Sequence, residues 1–151
     1  MKLSLRGECA LRALVALGES YDGDVVSMQM VSEQQEMPKR FLEQIFNDLR
    51  SGGFVESKRG IAGGYRLARP AHEITVAEVI RHIDGTLRPM PAGGKKPKPN
   101  SQAAGAQMAI RGVMRDVRDT IVKLLSQVTV ADLCERSRAV QIRTGVPDYT
   151  I

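Results

Sequence analysis

The sequence predicts a mainly α-helical fold with one small β-hairpin, a winged helix-turn-helix domain over residues 1–85 followed by a long C-terminal helix suited to dimerisation. Three observations predict it. Apolar residues recur at helical spacing through the first half, a glycine-rich segment separates two short strand-like runs near residues 54–67, and an a/d heptad seam appears beyond residue 107.

The elements follow in order. In the first helix Leu5, Ala10, Leu11, Leu14, Val15 and Leu17 recur at helical spacing, and Tyr21-Asp22-Gly23-Asp24 ends the segment with turn chemistry. Ser27 caps a short second helix through about Gln34. After a tight turn Pro38, whose missing N–H would be unpaired in a first turn, opens a third helix to Arg50, and Ser51-Gly52-Gly53 stops it. At about 100° per residue, Leu42, Ile45, Phe46 and Leu49 share one face, with Arg40, Glu43, Gln44 and Asn47 opposite. Residues 54–58 and 65–67 read as two strands joined by Arg59-Gly60-Ile61-Ala62-Gly63-Gly64, where three glycines permit positive φ at the tip. Thr75 to Glu78 is a capping box with Ile74 and Val79 as its hydrophobic staple, so a fourth helix runs to about Asp84 and ends at Gly85.

Residues 86–106 have the Pro- and Gly-rich composition of a flexible linker or sensor-type loop. Beyond it Ile110, Met114, Val117, Ile121, Leu124 and Val128 alternate spacings of four and three, a seam for packing one long helix against another. Residues 107–138 are therefore expected to hold a dimerisation helix and a short final helix capped by Thr129, and 139–151 a polar tail. Packing of the seam within the chain, against the first and fourth helices, is the competing arrangement. Dimerisation is preferred because an 85-residue domain has little groove left for so long a helix.

The chain carries 22 Lys+Arg against 17 Asp+Glu, a net charge of +5 that favours an anionic partner. Position matters more than the total. Residues 1–70 hold ten basic and nine acidic side chains, yet Lys58, Arg59, Arg66 and Arg69 lie in a stretch with no acid. The polar face of the third helix adds base-reading chemistry. Arg40 suits guanine, Asn47 and Gln44 suit adenine, and Glu43 can accept from cytosine N4. A two-faced helix after a tight turn, then a basic hairpin, is the order that sets one helix in the DNA major groove and a wing beside it. The alternative is a winged-helix protein-interaction or regulatory subunit that no longer binds DNA, and the basic wing argues against it.

The segments MKLSLRGECALRAL, MPKRFLEQIFNDLRSGGFVESKRGIAGGYRLARP and EITVAEVIRHIDG resemble the Rrf-two-type family of winged helix-turn-helix transcriptional regulators, and AIRGVMRDVRDTIVKLLSQVTVADL resembles that family's dimerisation and final helices. The resemblance implies that residues 38–50 are the recognition helix, with Lys39, Arg40, Glu43 and Gln44 nearest DNA. It implies a wing tip over residues 59–64, including Gly60, Gly63 and Gly64, that enters the minor groove. Lys2, Ser4 and Arg6 would contact phosphate at the start of the first helix.

The chain departs from its iron–sulfur relatives at the linker. Those members carry three closely spaced cysteines there, whereas residues 85–108 of this sequence contain no Cys or His. No iron–sulfur cluster is therefore expected, nor any other metal. Cys9 and Cys134 lie far apart with no CxxC spacing, which suits free thiols in a reducing compartment. Cys9, beside Glu8 in the first helix, is the residue to watch for thiol chemistry. His72 and His82, with no third ligand beside them, read as surface residues.

No nucleophile elbow, phosphate loop or HExxH pattern occurs, so an enzyme is not expected. Charges at Lys2, Arg6, Glu8 and Arg12 break the first apolar stretch, so it is neither a signal peptide nor a membrane span, and the cytoplasm is the expected location. The expected function is a homodimeric repressor reading a palindromic operator in double-stranded DNA, with no membrane partner and with room for a small-molecule effector.

Overall fold

A computed structural model describes residues 3–20, 23–85 and 95–145. Among these residues six α-helices and one hairpin follow in order: α1 (Leu5–Gly18), α2 (Met28–Gln35), α3 (Lys39–Ser51), β1 (Val55–Lys58), β2 (Gly64–Leu67), α4 (Val76–Asp84), α5 (Gln102–Leu125) and α6 (Val130–Thr144), with a 3₁₀ turn at Ala71–Glu73 ahead of α4. The architecture is a winged helix with a long protruding helix.

Helix α1 is the central post. Its Ala10, Ala13 and Leu14 are fully buried, and small alanines let α2, α3, α4 and α6 approach it closely. The amphipathic faces of its neighbours close the core, with Val31 from α2, Leu42, Ile45, Phe46 and Leu49 from α3, and Val79 from α4 all at 0% exposure. Each such burial contributes roughly 1.5–3 kcal/mol, so α3 is held mainly by its apolar face.

The turn between α2 and α3 is closed by local bonds. Glu36 takes the left-handed conformation at φ 53°, Met37 N donates to the Ser32 carbonyl at 3.1 Å, and Ser32 Oγ donates to the Met37 carbonyl at 2.6 Å. Arg12 reaches across from α1 to the Gln35 carbonyl and side chain. The angle between the two helices is thus fixed from both sides.

The hairpin pairs Val55 with Leu67 and Lys58 with Gly64 in antiparallel register. It gains a third member that the sequence reading left out: Val26 and Tyr65 exchange two backbone bonds of 2.8 Å. Gly64 permits that approach, and Gly63 permits a close turn within the tip. A Cβ on Gly64 would lie 2.2 Å from the Val26 carbonyl oxygen, and one on Gly63 would lie 2.3 Å from that of Lys58. Of the three glycines that permit positive φ at the tip, Gly60 uses it, at 117°. Gly63 and Gly64 are required by steric closeness instead.

Helices α4 and α6 begin side by side. Thr75–Glu78 and Thr129–Asp132 each form a full capping box, and the two caps meet in a short antiparallel bridge, with Val76 N bonded to the Val128 carbonyl and Val130 N to that of Ile74 at 2.8 Å. This bridge returns the chain to the winged domain after α5. The final helix was expected to be short and to be followed by a tail from residue 139, but it packs Val130 and Cys134 against α1 and runs on to Thr144. Helix α5 begins at Gln102 rather than near residue 107, because Ser101 caps it by accepting from Ala104 N at 3.1 Å. The linker's residues 86–94 lie outside the described residues. Among the described residues no helix is long and apolar enough to cross a membrane.

Candidate nucleic-acid interface

Helix α3 presents a fully committed inner face and an uncommitted outer one. Lys39, Arg40, Glu43, Gln44 and Asn47 are all exposed, and none of their side chains has a hydrogen bond or ion pair among the described residues. Five polar side chains thus stand along one edge of a helix that cannot roll, because Leu42, Ile45, Phe46 and Leu49 opposite them are locked in the core. The sequence reading expected this face, and the fold puts its members together.

The wing is fixed relative to that face. Phe46 of α3 stacks on Tyr65 of β2 with ring centroids 4.1 Å apart and planes 5° from parallel. Its cations divide into two kinds. Lys58 and Arg59 are exposed with no ion pair among the described residues. Arg66 meets Glu56 across the strands at 3.0 Å, and Arg69 meets Glu78 at 3.3 Å while lying over the Phe54 ring. With both partners about half exposed, the Arg66 pair is worth about 0–1 kcal/mol and could be surrendered to a phosphate at little cost.

At the start of α1 the side chains have partners within the chain. Ser4 was expected to contact phosphate, but its hydroxyl accepts from Gly7 N at 2.9 Å and donates its only proton to the Asp84 carboxylate at 2.6 Å. It is a helix cap tied to the end of α4, beside a negative charge that disfavours phosphate. Arg6, expected nearby, pairs with Asp48 of α3. Lys2 lies outside the described residues.

The seam of α5 is open to solvent. Ile110, Met114, Val117 and Leu124 are 41–64% exposed, and α5 has no buried residue. Ile121 is half-buried. Val128 departs from the expected set: it lies beyond the end of α5, its carbonyl accepts from Val76, and its side chain packs on the winged-domain core.

Both thiols are buried. Cys9 is 3% exposed and burial raises its pKa, partly offset by Arg12. Burial, with Glu19 adding to it, pushes Cys134 up to about 11. Sequence reasoning missed His82, whose Nε2 lies 2.7 Å from the Asp48 carbonyl and so donates to the last turn of α3, while its ring packs edge-on against Phe54. Nothing in a lone exposed histidine signals that partner.

A helix-turn-helix with a fixed wing and an exposed polar edge on α3 is the architecture of a DNA-binding transcription regulator. A family model described as Rrf2, iron-dependent transcriptional regulator, matches residues 3–136, and the chain belongs to that family. A Mycobacterium tuberculosis protein that carries the name of an HTH-type transcriptional regulator is 35% identical over 149 residues, covering 99% of this chain and 91% of its own. The regulator IscR of Cereibacter sphaeroides is 43% identical over 95 residues, 62% of this chain and 61% of its own. Among solved structures, T. potens IscR superposes with a TM-score of 0.72 at 28% identity, covering 93% of this chain and 91% of that one. The B. subtilis global cysteine regulator CymR gives 0.69 at 26%, covering 90% and 98%. These relatives are regulators, not enzymes.

The family's description implies iron, and the residues present do not fit it. Residues 85–108 offer no Cys or His. Among the described residues no three His, Cys, Asp or Glu side chains cluster as a metal site would need, and both thiols are buried.

Proposed function

We propose that this protein is a homodimeric repressor that reads a roughly palindromic operator, two α3 helices entering major grooves about one helical turn apart. The observation that carries this reading is the exposed, unpartnered row Arg40, Glu43, Gln44 and Asn47 on a helix whose other face is buried. Lys39, Lys58 and Arg59 supply phosphate and minor-groove charge, with Arg66 available once it leaves Glu56. Gly60, Gly63 and Gly64 shape the tip that carries them.

Two copies meet through Ile110, Met114, Val117, Ile121 and Leu124 of α5, since an apolar seam left so open on one chain is expected to be covered by another. The regulator works without an iron–sulfur cluster, because clusters are held mainly by thiolates and the linker has none. It acts in the cytoplasm, where its free thiols stay reduced.

Recovery of bound genomic DNA followed by footprinting tests the reading. An enriched inverted repeat with half-sites about 10 bp apart, centre to centre, is expected. Failure to enrich any sequence, or protection of a single unrepeated half-site, would sink it. Stoichiometric iron and sulfide in protein purified without oxygen would overturn the cluster-free part.

A further inference from the structure

Between α4 and the C-terminal half of α5 runs an open groove of about 450 Å³. That volume lies in the range small organic ligands occupy. Ala77 and Ile80 of α4 face Val122 and Leu125 of α5 across an apolar floor. The charged rim is Arg81 on α4 and Arg118, Asp119 and Lys123 on α5, three cations against one carboxylate. Arg118 is answered by its neighbour Asp119, 3.0 Å away. Arg81 and Lys123 have no ion pair among the described residues.

The groove is not the dimer seam under another name. At about 100° per residue, Arg118 and Val122 lie roughly a quarter turn around α5 from the line through Ile110, Met114, Val117 and Leu124. Pairing of two seams therefore leaves this face lined by α4 and α5 of one chain. An apolar floor between two unanswered cations is complementary to a molecule with an apolar body and one anionic head.

We propose that the groove binds a small amphiphilic organic anion of the carboxylate or sulfonate class, its body against Ile80 and Val122 and its head between Arg81 and Lys123. The site has regulatory leverage. Helix α4 reaches the start of α1 through Asp84 and Ser4, while α5 carries the seam, so an occupant bridging them biases how the winged domain sits on the dimer. That consequence rests on the homodimer reading, whereas the binding itself does not.

Fluorescence titration of the full chain with 8-anilinonaphthalene-1-sulfonate and its uncharged counterpart N-phenyl-1-naphthylamine tests the proposal, with sedimentation in parallel. One saturable sulfonate site per chain is expected. The Arg81→Gln, Lys123→Gln double variant should weaken the sulfonate probe about tenfold, the scale of losing charged contacts, and the neutral probe less than about twofold. Val122→Trp, which fills the groove, should remove both while circular dichroism stays native. An unchanged sulfonate titration in either variant, or equal losses of both probes in the charge variant, would overturn the site. A monomer with the expected titrations would sink the homodimer reading alone, and a dimer without them would sink this one alone.

Discussion

Gln44 and Glu43 show why an exposed polar side chain is worth more when its helix cannot move. Each stands opposite a residue at 0% exposure, so its reach toward a base edge is set by the core rather than by a flexible surface. Gln44→Ala and Glu43→Ala are therefore expected to relax base preference by roughly 1–3 kcal/mol per lost contact, with non-specific binding nearly intact. Competition among operators mutated at single positions measures this, and wild-type discrimination in both variants would remove α3 from the reading role. Arg59 differs in kind. It has no ion pair among the described residues to give up and offers charge rather than a bidentate fit to one base, so Arg59→Ala should weaken all sequences alike and lower the salt slope by about 1. A log–log salt titration decides it, and an unchanged slope would leave the wing without its phosphate role.

At the scale of elements, the paired capping boxes join what the chain separates. Glu78 accepts from Thr75 N at 2.9 Å and faces Arg69, and the backbone bond above all holds its pKa below the usual glutamate value. Because the folded value lies below the unfolded one, the stabilisation is full above the ordinary glutamate range and is lost as pH falls through the folded value. Glu78→Gln should thus be less stable than wild type at neutral pH and should converge on it in acid. Urea midpoints from neutral pH to about pH 3 check this, and parallel curves would refute it. These boxes also mark what the sequence made legible. Thr75 with Glu78 was readable because both halves lie within four residues, and the two faces of α3 were readable because helical periodicity is local. The bridge between Thr75 and Thr129, the Val26–Tyr65 pairing and the Ser4–Asp84 bond were not. Each joins residues far apart in sequence through backbone or short polar groups that leave no periodic trace. The family resemblance made Ser4 a phosphate contact; its capping role, a serine just ahead of a helix, was a local signal as well.

At the scale of the whole molecule, α5 leads back to the winged domain at the Val128–Val76 bond, while Ile110, Met114, Val117 and Leu124 along it stay exposed. The structure separates seam residues by what else they do. Ile121 is half-buried within its own chain, and Val128 packs partly buried against the core, so charge at either position would disturb the fold as well as association. Val117 is 45% exposed on the same line and is the cleaner probe. In a dimer joined through the seam, Val117→Asp would bury two unpaired carboxylates near the centre of the interface, at a cost of several kcal/mol. Alone, the chain would carry an aspartate on an exposed helix face, a change usually within about 0.5 kcal/mol. Val117→Asp should therefore sediment as a folded monomer with native circular dichroism. It should lose most of its operator affinity because the two half-sites are no longer bound as one, yet keep weak binding to a single half-site. A Val117→Asp protein that sediments as a dimer with wild-type operator affinity would move the interface off α5.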